Sequence, residues 1–238
     1  MTMNKIHLGS AYELIRQIPD NSVDCIYTDI PYLHETGGGG SSRIAKNIIA
    51  KRNEIAFIAN GINYDILTEF VRVSKKINCF IWCSKLQIFD ILKFFIIDHQ
   101  CRFEILFWAK TNPIPQTNNT WLGDTEICLY FRESGVPLNS GYELKSKWYV
   151  SPINQKDKAH FDHPTIKPLE LVKRHVEHAT QDGSLVLDPF VGSGTTAVAC
   201  KELGRNYIAF ELDPKWHTIA VDRLNNVDAR GQHSFLAR

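Results

Sequence analysis

The ten residues Val23-Asp24-Cys25-Ile26-Tyr27-Thr28-Asp29-Ile30-Pro31-Tyr32 lead from an apolar stretch into a short, chemically mixed one. The apolar part, 23–28, is typical of a buried β-strand. A carboxylate, a proline and an aromatic ring follow it directly. Open α/β sheets bind their ligands at the carboxyl ends of the strands. We therefore predict that a strand delivers the Asp29 carboxylate to a binding site.

A second stretch, Leu187-Asp188-Pro189-Phe190-Val191-Gly192-Ser193-Gly194-Thr195-Thr196, predicts a strand, a glycine turn and a helix. The strand covers 185–187 and the helix covers 194–203. Glycines let the backbone approach a ligand closely, and the start of a helix offers N–H groups that lack intrahelical partners. Glu211 ends the next predicted strand, where an acid can accept two hydrogen bonds from a ribose diol. This stretch predicts a nucleoside-binding turn.

The glycine turn also fits the G-x-G-x-x-A fingerprint of dinucleotide-binding proteins, through Gly192, Gly194 and Ala197. Asp188 argues against a dinucleotide because its carboxylate would repel a neighbouring pyrophosphate. A cationic nucleoside that carries an amino acid, such as S-adenosylmethionine, fits an acidic neighbour better. On this motif alone a nicotinamide-dependent oxidoreductase remains an alternative, which titration with the two cofactors would separate.

The rest of the chain alternates between strand-like and helix-like segments. Further strands are predicted at 5–8, 78–83, 102–108, 125–131 and 206–210, and further helices at 11–18, 62–75, 85–97, 168–179 and 214–225. This alternation predicts an α/β protein with a Rossmann-like, mostly parallel sheet of about seven strands and helices on both faces. Segments 102–108 and 125–131 are adjacent in sequence and predict an antiparallel pair at one edge.

Two irregular segments interrupt this single predicted domain, which spans 1–238. Segment 33–61 contains four consecutive glycines, Gly37–Gly40, with basic residues after them. It is interpreted either as a flexible surface loop or as a lid beside the active site. Segment 132–162 mixes lysines with aromatic residues on irregular backbone, which suits phosphates and stacked bases. A solvated loop with a small core of its own is the alternative for 132–162.

Composition excludes few classes of protein. The 238 residues are 44% hydrophobic, which is enough for one sizeable core. The 27 Lys and Arg balance 26 Asp and Glu, so net charge neither supports nor excludes nucleic-acid binding. Residues 1–10 lack the apolar core of a secretory signal, and the most apolar stretch, 86–97, is charged and too short to span a bilayer. We therefore expect a cytoplasmic protein with no membrane contact.

The cysteines and histidines predict neither disulfides nor a metal site. The six cysteines contain no C-x-x-C pair and lie mostly in apolar runs, so we expect buried, reduced thiols. Two histidine pairs, 160 with 163 and 175 with 178, have no cysteine or carboxylate that completes a zinc site. His175 and His178 are expected on the helix surface, where a cation near the C-terminal end is favourable.

Five stretches, in one order, resemble motifs of the S-adenosylmethionine-dependent DNA amino-methyltransferases, and the resemblance extends from residue 5 to about residue 224. Asp29-Ile30-Pro31-Tyr32 looks like the catalytic Asp-Pro-Pro-Tyr of that family. The others are Phe107–Pro113, the lead-in His163-Pro164-Thr165-Ile166-Lys167-Pro168, the cofactor loop 188–196, and the acidic ribose contact Phe210-Glu211-Leu212-Asp213. A catalytic motif that precedes the cofactor loop is the permuted order of the beta group.

The resemblance implies a class I methyltransferase fold and methyl transfer to the exocyclic amine of a base flipped out of DNA. It implies catalytic roles for Asp29, Ile30, Pro31 and Tyr32. It implies no metal ion. The residues for which it implies contacts with the cofactor are Ser10, Asp29, Thr165, Lys167, Asp188, Phe190, Gly192, Gly194, Thr195 and Glu211. An aspartate at the first motif position favours adenine N6 as the target, with cytosine N4 as the alternative. Segment 132–162 is expected to recognise the target sequence, with segment 33–61 as a further candidate. Relatives in the beta group are often homodimers, and a cognate restriction enzyme is a further candidate partner.

Two residues depart from the family pattern. Ile30 stands where the family usually has proline, so the backbone carbonyl is kept but the fixed φ is lost. Ser10 stands where relatives often carry an acid that contacts the adenine of the cofactor, and a neutral hydroxyl binds more weakly. These departures leave open a non-catalytic DNA-binding module with a degenerate methyltransferase fold.

Overall fold

The computed structural model of the chain describes residues 1–33, 61–113, 115, 121–139, 141–153 and 166–226. Within those ranges the protein forms one eight-stranded mixed sheet and six α-helices. Nearly all of the glycine-rich segment 33–61, and the part of segment 132–162 beyond residue 153, lie outside the described residues. No helix among the described residues is long and apolar enough to cross a membrane.

The described strands are β1 (Lys5–Leu8), β2 (Cys25–Asp29), β3 (Asn78–Cys83), β4 (Arg102–Lys110), β5 (Thr125–Arg132), β6 (Trp148–Ser151), β7 (Leu185–Asp188) and β8 (Asn206–Glu211). Their order across the sheet is β1-β8-β7-β2-β3-β5-β4-β6. Strand β5 runs antiparallel to both β3 and β4, and the other described pairings are parallel. The mostly parallel sheet predicted from the sequence is therefore confirmed.

The helices are α1 (Ala11–Leu14), α2 (Asp65–Val73), α3 (Ile88–Leu92), α4 (Leu169–Ala179), α5 (Thr195–Glu202) and α6 (Pro214–Asn225). Short 3₁₀ turns follow α1 at Ile15–Gln17 and precede β6 at Glu143–Lys145, and α3 continues as a π-helix over Lys93–Asp98. The six α-helices cover both faces of the sheet, as predicted. One core layer packs α4, α5 and α6 against the sheet, and the other packs α1, α2 and α3 against it.

Alternation along the central strands builds these two layers. In β3, Phe80 and Trp82 point into the layer with α4 and α5, whereas Cys79, Ile81 and Cys83 point into the opposite layer. All six residues of β3 are buried, as expected for a strand covered on both faces. The six cysteines are buried and free, which confirms the prediction of reduced thiols.

Strand β6 was not predicted, and it makes the sheet eight-stranded rather than seven-stranded. It pairs in parallel with β4, so the antiparallel pair β4–β5 exists as predicted but does not form the edge of the sheet. Trp148 and Val150 are exposed, and Tyr149 and Ser151 are only partly buried. Because β6 has no fully buried face, its sequence lacks the apolar alternation by which strands are recognised.

Candidate active site

Adjacent strands end in the two acidic motifs. Strands β2 and β7 pair in parallel, with Cys25 opposite Val186 and Ile26 opposite Leu187. This register places Asp188, the last residue of β7, level with Tyr27, and β2 ends two residues further on with Asp29, at the same edge of the sheet. The two stretches, which are far apart in the sequence, therefore meet at the carboxyl edge of the sheet.

The two carboxylate oxygens of Asp29 differ. Oδ2 accepts a hydrogen bond from Nζ of Lys167 at 2.5 Å. Oδ1 is buried and has no hydrogen-bond partner among the described residues. Burial raises the pKa of the Asp29 carboxyl, and the ammonium of Lys167 opposes this rise. A buried acceptor without a partner costs about 1–3 kcal/mol, so Oδ1 is suited to accept a proton donor from a ligand.

Ile30 is held in place by its own backbone and side chain. Its N–H donates to the carbonyl of Trp82 at 3.2 Å, which continues the β2–β3 ladder by one residue. Its side chain is 1% exposed and packs in the layer with α1 and α2. A proline has no N–H and could not make this bond. The hydrogen bond and the buried side chain thus restrain Ile30 where a proline ring would otherwise do so.

Pro31 and Tyr32 complete the motif. The carbonyl of Pro31 accepts a hydrogen bond from Nε2 of Gln87 at 2.9 Å, and Gln87 is fully buried in the loop after β3. The Tyr32 hydroxyl lies 3.3 Å from Nζ of Lys167 and 3.4 Å from Oε2 of Glu126. The motif is therefore tied to the loop after β3 by Gln87 and to β5 by Glu126. Neither residue was a candidate from the sequence.

Lys167, predicted as a cofactor residue, lies among the residues that were predicted to be catalytic. Its ammonium contacts Asp29, Tyr32 and Oε2 of Glu126, the last at 2.9 Å. It also lies 5.1 Å from the centre of the Trp82 ring, a cation–π distance. Burial alone would lower the pKa of Lys167, but Asp29 and Glu126 raise it above its ordinary value, so this lysine is a cation. Thr165, its predicted companion, lies outside the described residues.

Hydrogen bonds attach the predicted cofactor loop to the end of β8. Glu211 accepts hydrogen bonds from the backbone N–H of Gly192 at 3.0 Å and of Asp213 at 2.8 Å. Val191 N–H donates to the carbonyl of Phe210 at 3.0 Å. The predicted residues Asp188, Phe190, Gly192, Gly194, Thr195 and Glu211 thus lie on one turn and the adjacent strand end. Ser10 precedes α1, next to Gly9, whose N–H donates to the Glu211 carbonyl at 2.8 Å.

Asp188 is a buried carboxyl group at the start of this loop. Its Oδ1 accepts a hydrogen bond from the N–H of Phe190 at 3.1 Å. Burial raises the pKa of Asp188 to about 7. A cation placed beside it would favour the ionised form. This carboxyl suits a positively charged ligand, which agrees with S-adenosylmethionine rather than a pyrophosphate.

Residue 194 of the loop has to be a glycine for reasons of packing as well as of ligand access. Gly194 has φ +82°, and a Cβ built there would lie 3.1 Å from Cβ of Ala220 in α6. Arg223, one turn further along α6, is 1% exposed and donates to Oγ1 of Thr195 at 2.8 Å and to the Ser193 carbonyl at 3.3 Å. Helix α6 therefore packs against the loop and supports it. The local sequence does not reveal these contacts.

The prediction that His175 is a surface cation was wrong. His175 is 4% exposed and stacks on Phe80 with ring centres 5.3 Å apart. Its Nδ1 lies 3.3 Å from the Tyr27 hydroxyl, which accepts a hydrogen bond from Nε1 of Trp82 at 2.9 Å. Burial lowers the pKa of His175 to about 3, so it is neutral. Among the described residues no group of three or more metal-ligating side chains could hold a metal ion.

Curated proteins similar to this chain include type II methyltransferases. M2.LlaDCHI of Lactococcus lactis subsp. cremoris is 29% identical over 92% of this chain and 88% of its own length. M2.DpnII of Streptococcus pneumoniae is 28% identical over 91% of this chain and 87% of its own length.

Solved methyltransferase structures share the fold. The M1.HpyAVI–SAM complex has a TM-score of 0.69 at 25% identity and covers 93% of this chain and 98% of its own. The cytosine-N4-specific PvuII DNA methyltransferase has a TM-score of 0.69 at 16% identity, over 96% of this chain and 89% of its own. The family model described as DNA methylase matches residues 23–222. This chain therefore belongs to the family of S-adenosylmethionine-dependent N6/N4 DNA methyltransferases.

Proposed function

We propose that this DNA methyltransferase transfers the methyl group of S-adenosylmethionine to N6 of an adenine flipped out of DNA. The observation that carries the proposal is the Asp29 carboxylate, with Oδ2 held by Lys167 and Oδ1 buried without a partner among the described residues. The backbone carbonyl of Ile30 follows it directly. Together they supply two acceptors for the two N–H groups of one exocyclic amine.

These acceptors address the chemical difficulty of the reaction. An exocyclic aromatic amine is a poor nucleophile because its lone pair is shared with the ring. Hydrogen bonds from both N–H groups, one to Asp29 Oδ1 and one to the Ile30 carbonyl, draw the nitrogen toward tetrahedral geometry and localise the lone pair. The cofactor supplies an electrophilic methyl group on a sulfonium. Alignment at about 3–3.5 Å then provides much of the rate enhancement.

Asp29 does not have to be a strong base. The nitrogen becomes acidic once it has gained the methyl group, so a weak acceptor takes its proton. Lys167 serves this purpose by favouring the ionised form of Asp29 against the effect of burial. Extrusion of the base from the duplex costs a few kcal/mol, and we propose that stacking on the Tyr32 ring recovers part of that cost.

The cofactor contacts are part of the same proposal. We assign the ribose diol to Glu211, the positively charged amino-acid portion to Asp188, and the close backbone approach to Gly192. Asp188 supports this assignment because burial without a cation raises its pKa to about 7. Phe190, Gly194, Thr195 and Ser10 complete the proposed pocket.

Adenine is proposed over cytosine because aspartate stands first in the catalytic motif. Because PvuII DNA methyltransferase is only 16% identical, its likeness concerns the fold and leaves the target base open. The type II methyltransferases among the relatives support a proposed pairing with a cognate restriction enzyme. A homodimer and a cytoplasmic location belong to the same proposal.

The test is methyl transfer from labelled S-adenosylmethionine to unmethylated DNA, followed by mass analysis of the nucleosides. N6-methyladenine is the expected product. N4-methylcytosine would keep the proposed chemistry and overturn the proposed target. Cofactor binding without label in any base would instead support the non-catalytic DNA-binding alternative.

A further inference from the structure

Glu126 joins two lysines in the interior of the site. It lies near the start of β5, opposite Trp108 of β4. Its Oε1 contacts Nζ of Lys110 at 2.7 Å and its Oε2 contacts Nζ of Lys167 at 2.9 Å. The side chains of Lys110, Glu126 and Lys167 are 14%, 19% and 7% exposed. With Asp29 they form a row of alternating charges, Lys110–Glu126–Lys167–Asp29, which ends at the proposed catalytic oxygen.

We propose that Glu126 is a positioning residue, which fixes the Lys167 ammonium and thereby holds the Asp29 carboxylate with Oδ1 directed at the target amine. The inference rests on the proposed function, since it names a further residue of that same site. Glu126 itself is assigned no contact with the base or with the cofactor.

The hydrogen-bond count of Lys167 supports the assignment. A lysine ammonium has three N–H donors on a flexible four-carbon chain. Here three acceptors match them: Oδ2 of Asp29 at 2.5 Å, Oε2 of Glu126 at 2.9 Å and the Tyr32 hydroxyl at 3.3 Å. Three fixed acceptors define the position of the ammonium, whereas two would let it rotate. The Asp29 carboxylate would then lose the fixed contact at Oδ2.

Charge balance favours an anion at this place. Glu126 lies between the cations Lys110 and Lys167, and although burial would raise its pKa, the two lysines lower it to about 2. The row therefore has two positive and two negative members, so Asp29 is not left as an isolated buried charge. An uncharged residue at 126 would keep the shape of the row and remove the anion that anchors both lysines.

When Glu126 is neutralised, the direction in which the pKa of Asp29 moves distinguishes a positioning role of Glu126 from a simple effect of its charge. Among the described residues, the groups that interact electrostatically with Asp29 include Tyr27 on β2, Tyr32 after it, Cys83 on β3, Glu126 and Cys128 on β5, Lys167 before α4, and Asp188 on β7. Loss of a nearby negative charge alone would lower the pKa of Asp29. Loss of a fixed Lys167 contact would raise it, because burial would then act with less opposition.

The experiment compares Glu126→Gln with the wild-type protein. Single-turnover methylation of DNA is measured against pH with S-adenosylmethionine saturating, and cofactor affinity is measured by calorimetry. We expect the rate to fall about 10- to 100-fold, as for a catalytic group misplaced by about 1 Å. Cofactor affinity should stay within about 3-fold, and the acid limb of the rate profile should move to higher pH, as it should in Lys167→Met.

A double-mutant cycle tests whether Glu126 acts through Lys167. If it does, Glu126→Gln adds less than about 2-fold to the loss in Lys167→Met, because effects within one network are not additive. If Lys167→Met does not fold, the milder Lys167→Gln takes its place in the cycle. Glu202→Gln is the matched control. It removes the carboxylate of an ion pair with Lys173, and Glu202 lies at the end of α5 remote from the cofactor loop. This variant should keep the wild-type rate.

Four results would overturn the inference: a wild-type rate in Glu126→Gln, additive losses in the cycle, an acid limb that stays in place, or one that moves to lower pH. The pKa of a ¹³C-labelled Asp29 carboxyl, followed by NMR without DNA, provides the same directional test in the absence of turnover. A wild-type protein that methylates no base would contradict the proposed function, whereas the titration would still decide whether Glu126 holds Lys167 on Asp29.

Discussion

Substitution of Gly194 by alanine tests how the cofactor loop is built. Gly194 caps the start of α5 with φ +82°, a backbone conformation that residues other than glycine rarely adopt. The added Cβ would lie 3.1 Å from the Ala220 Cβ and 3.2 Å from both the Cα and the carbonyl oxygen of Ala220. Two of these three atoms belong to the backbone of α6, so the helices would have to separate.

The magnitude follows from two terms. A left-handed backbone costs about 1–2 kcal/mol for a residue with a Cβ. Overpacking of a well-packed contact costs about 1–3 kcal/mol more. Gly204, just after the other end of α5, has φ +68° and no atom within 4 Å of an added Cβ. Gly204→Ala therefore carries the backbone term alone and serves as the control.

The assay is denaturant unfolding of both variants, together with calorimetric titration of S-adenosylmethionine. We expect Gly194→Ala to lose about 1–3 kcal/mol more unfolding free energy than Gly204→Ala. Adding Ala220→Gly should restore part of the difference, because it removes the atom at 3.1 Å and leaves those at 3.2 Å. Cofactor affinity should fall in Gly194→Ala and stay unchanged in Gly204→Ala. Equal losses of stability in the two variants would refute the packing argument.

Two further predictions concern the same loop. Cofactor affinity should rise with pH through about 7, because burial raises the pKa of Asp188 to about 7 and only its ionised form attracts a cation; calorimetry between pH 6 and 8 measures this. Asp188→Asn should weaken binding and remove that part of the pH dependence, and an unchanged profile in this variant would contradict the assignment. Arg223→Leu should lower both unfolding free energy and cofactor affinity, because it removes the donor to Ser193 and Thr195; hydrogen bonds to charged groups are worth about 1.5–3 kcal/mol each. Wild-type affinity in Arg223→Leu would show that α6 does not support the loop.

The parts of the site that lie at strand ends could be predicted from the sequence. Asp29, Asp188 and Glu211 each close a strand that the apolar pattern predicts, and parallel strands bring their carboxyl ends to one edge of the sheet. Local pattern and general sheet geometry were sufficient for these three residues.

The supporting residues could not be predicted in this way, because their roles depend on partners far away in the sequence. Glu126 appears in the sequence as one polar residue near the start of a strand, and its two lysines come from β4 and from the segment before α4. Gln87 and Arg223 are likewise buried polar residues whose partners come from other segments.

His175 could have been placed correctly. In α4 the buried residues Leu171, Val172, Val176 and Ala179 recur at helical spacing, and His175 falls within that stripe. Its position within this stripe, rather than its charge near the helix end, decides its burial. Strand β6, in contrast, carries no buried face that a pattern could have revealed.

In the proposed mechanism the Asp29 side chain binds the target amine and is not needed to bind the cofactor. Asp29→Ala tests it most directly, with methyl transfer and S-adenosylmethionine affinity measured on the same preparation. Lys167 keeps its partner Glu126 in this variant, so the row stays anchored and the protein should fold. We expect cofactor binding close to that of the wild type and no detectable methyl transfer. Substantial residual methyl transfer by Asp29→Ala would contradict it.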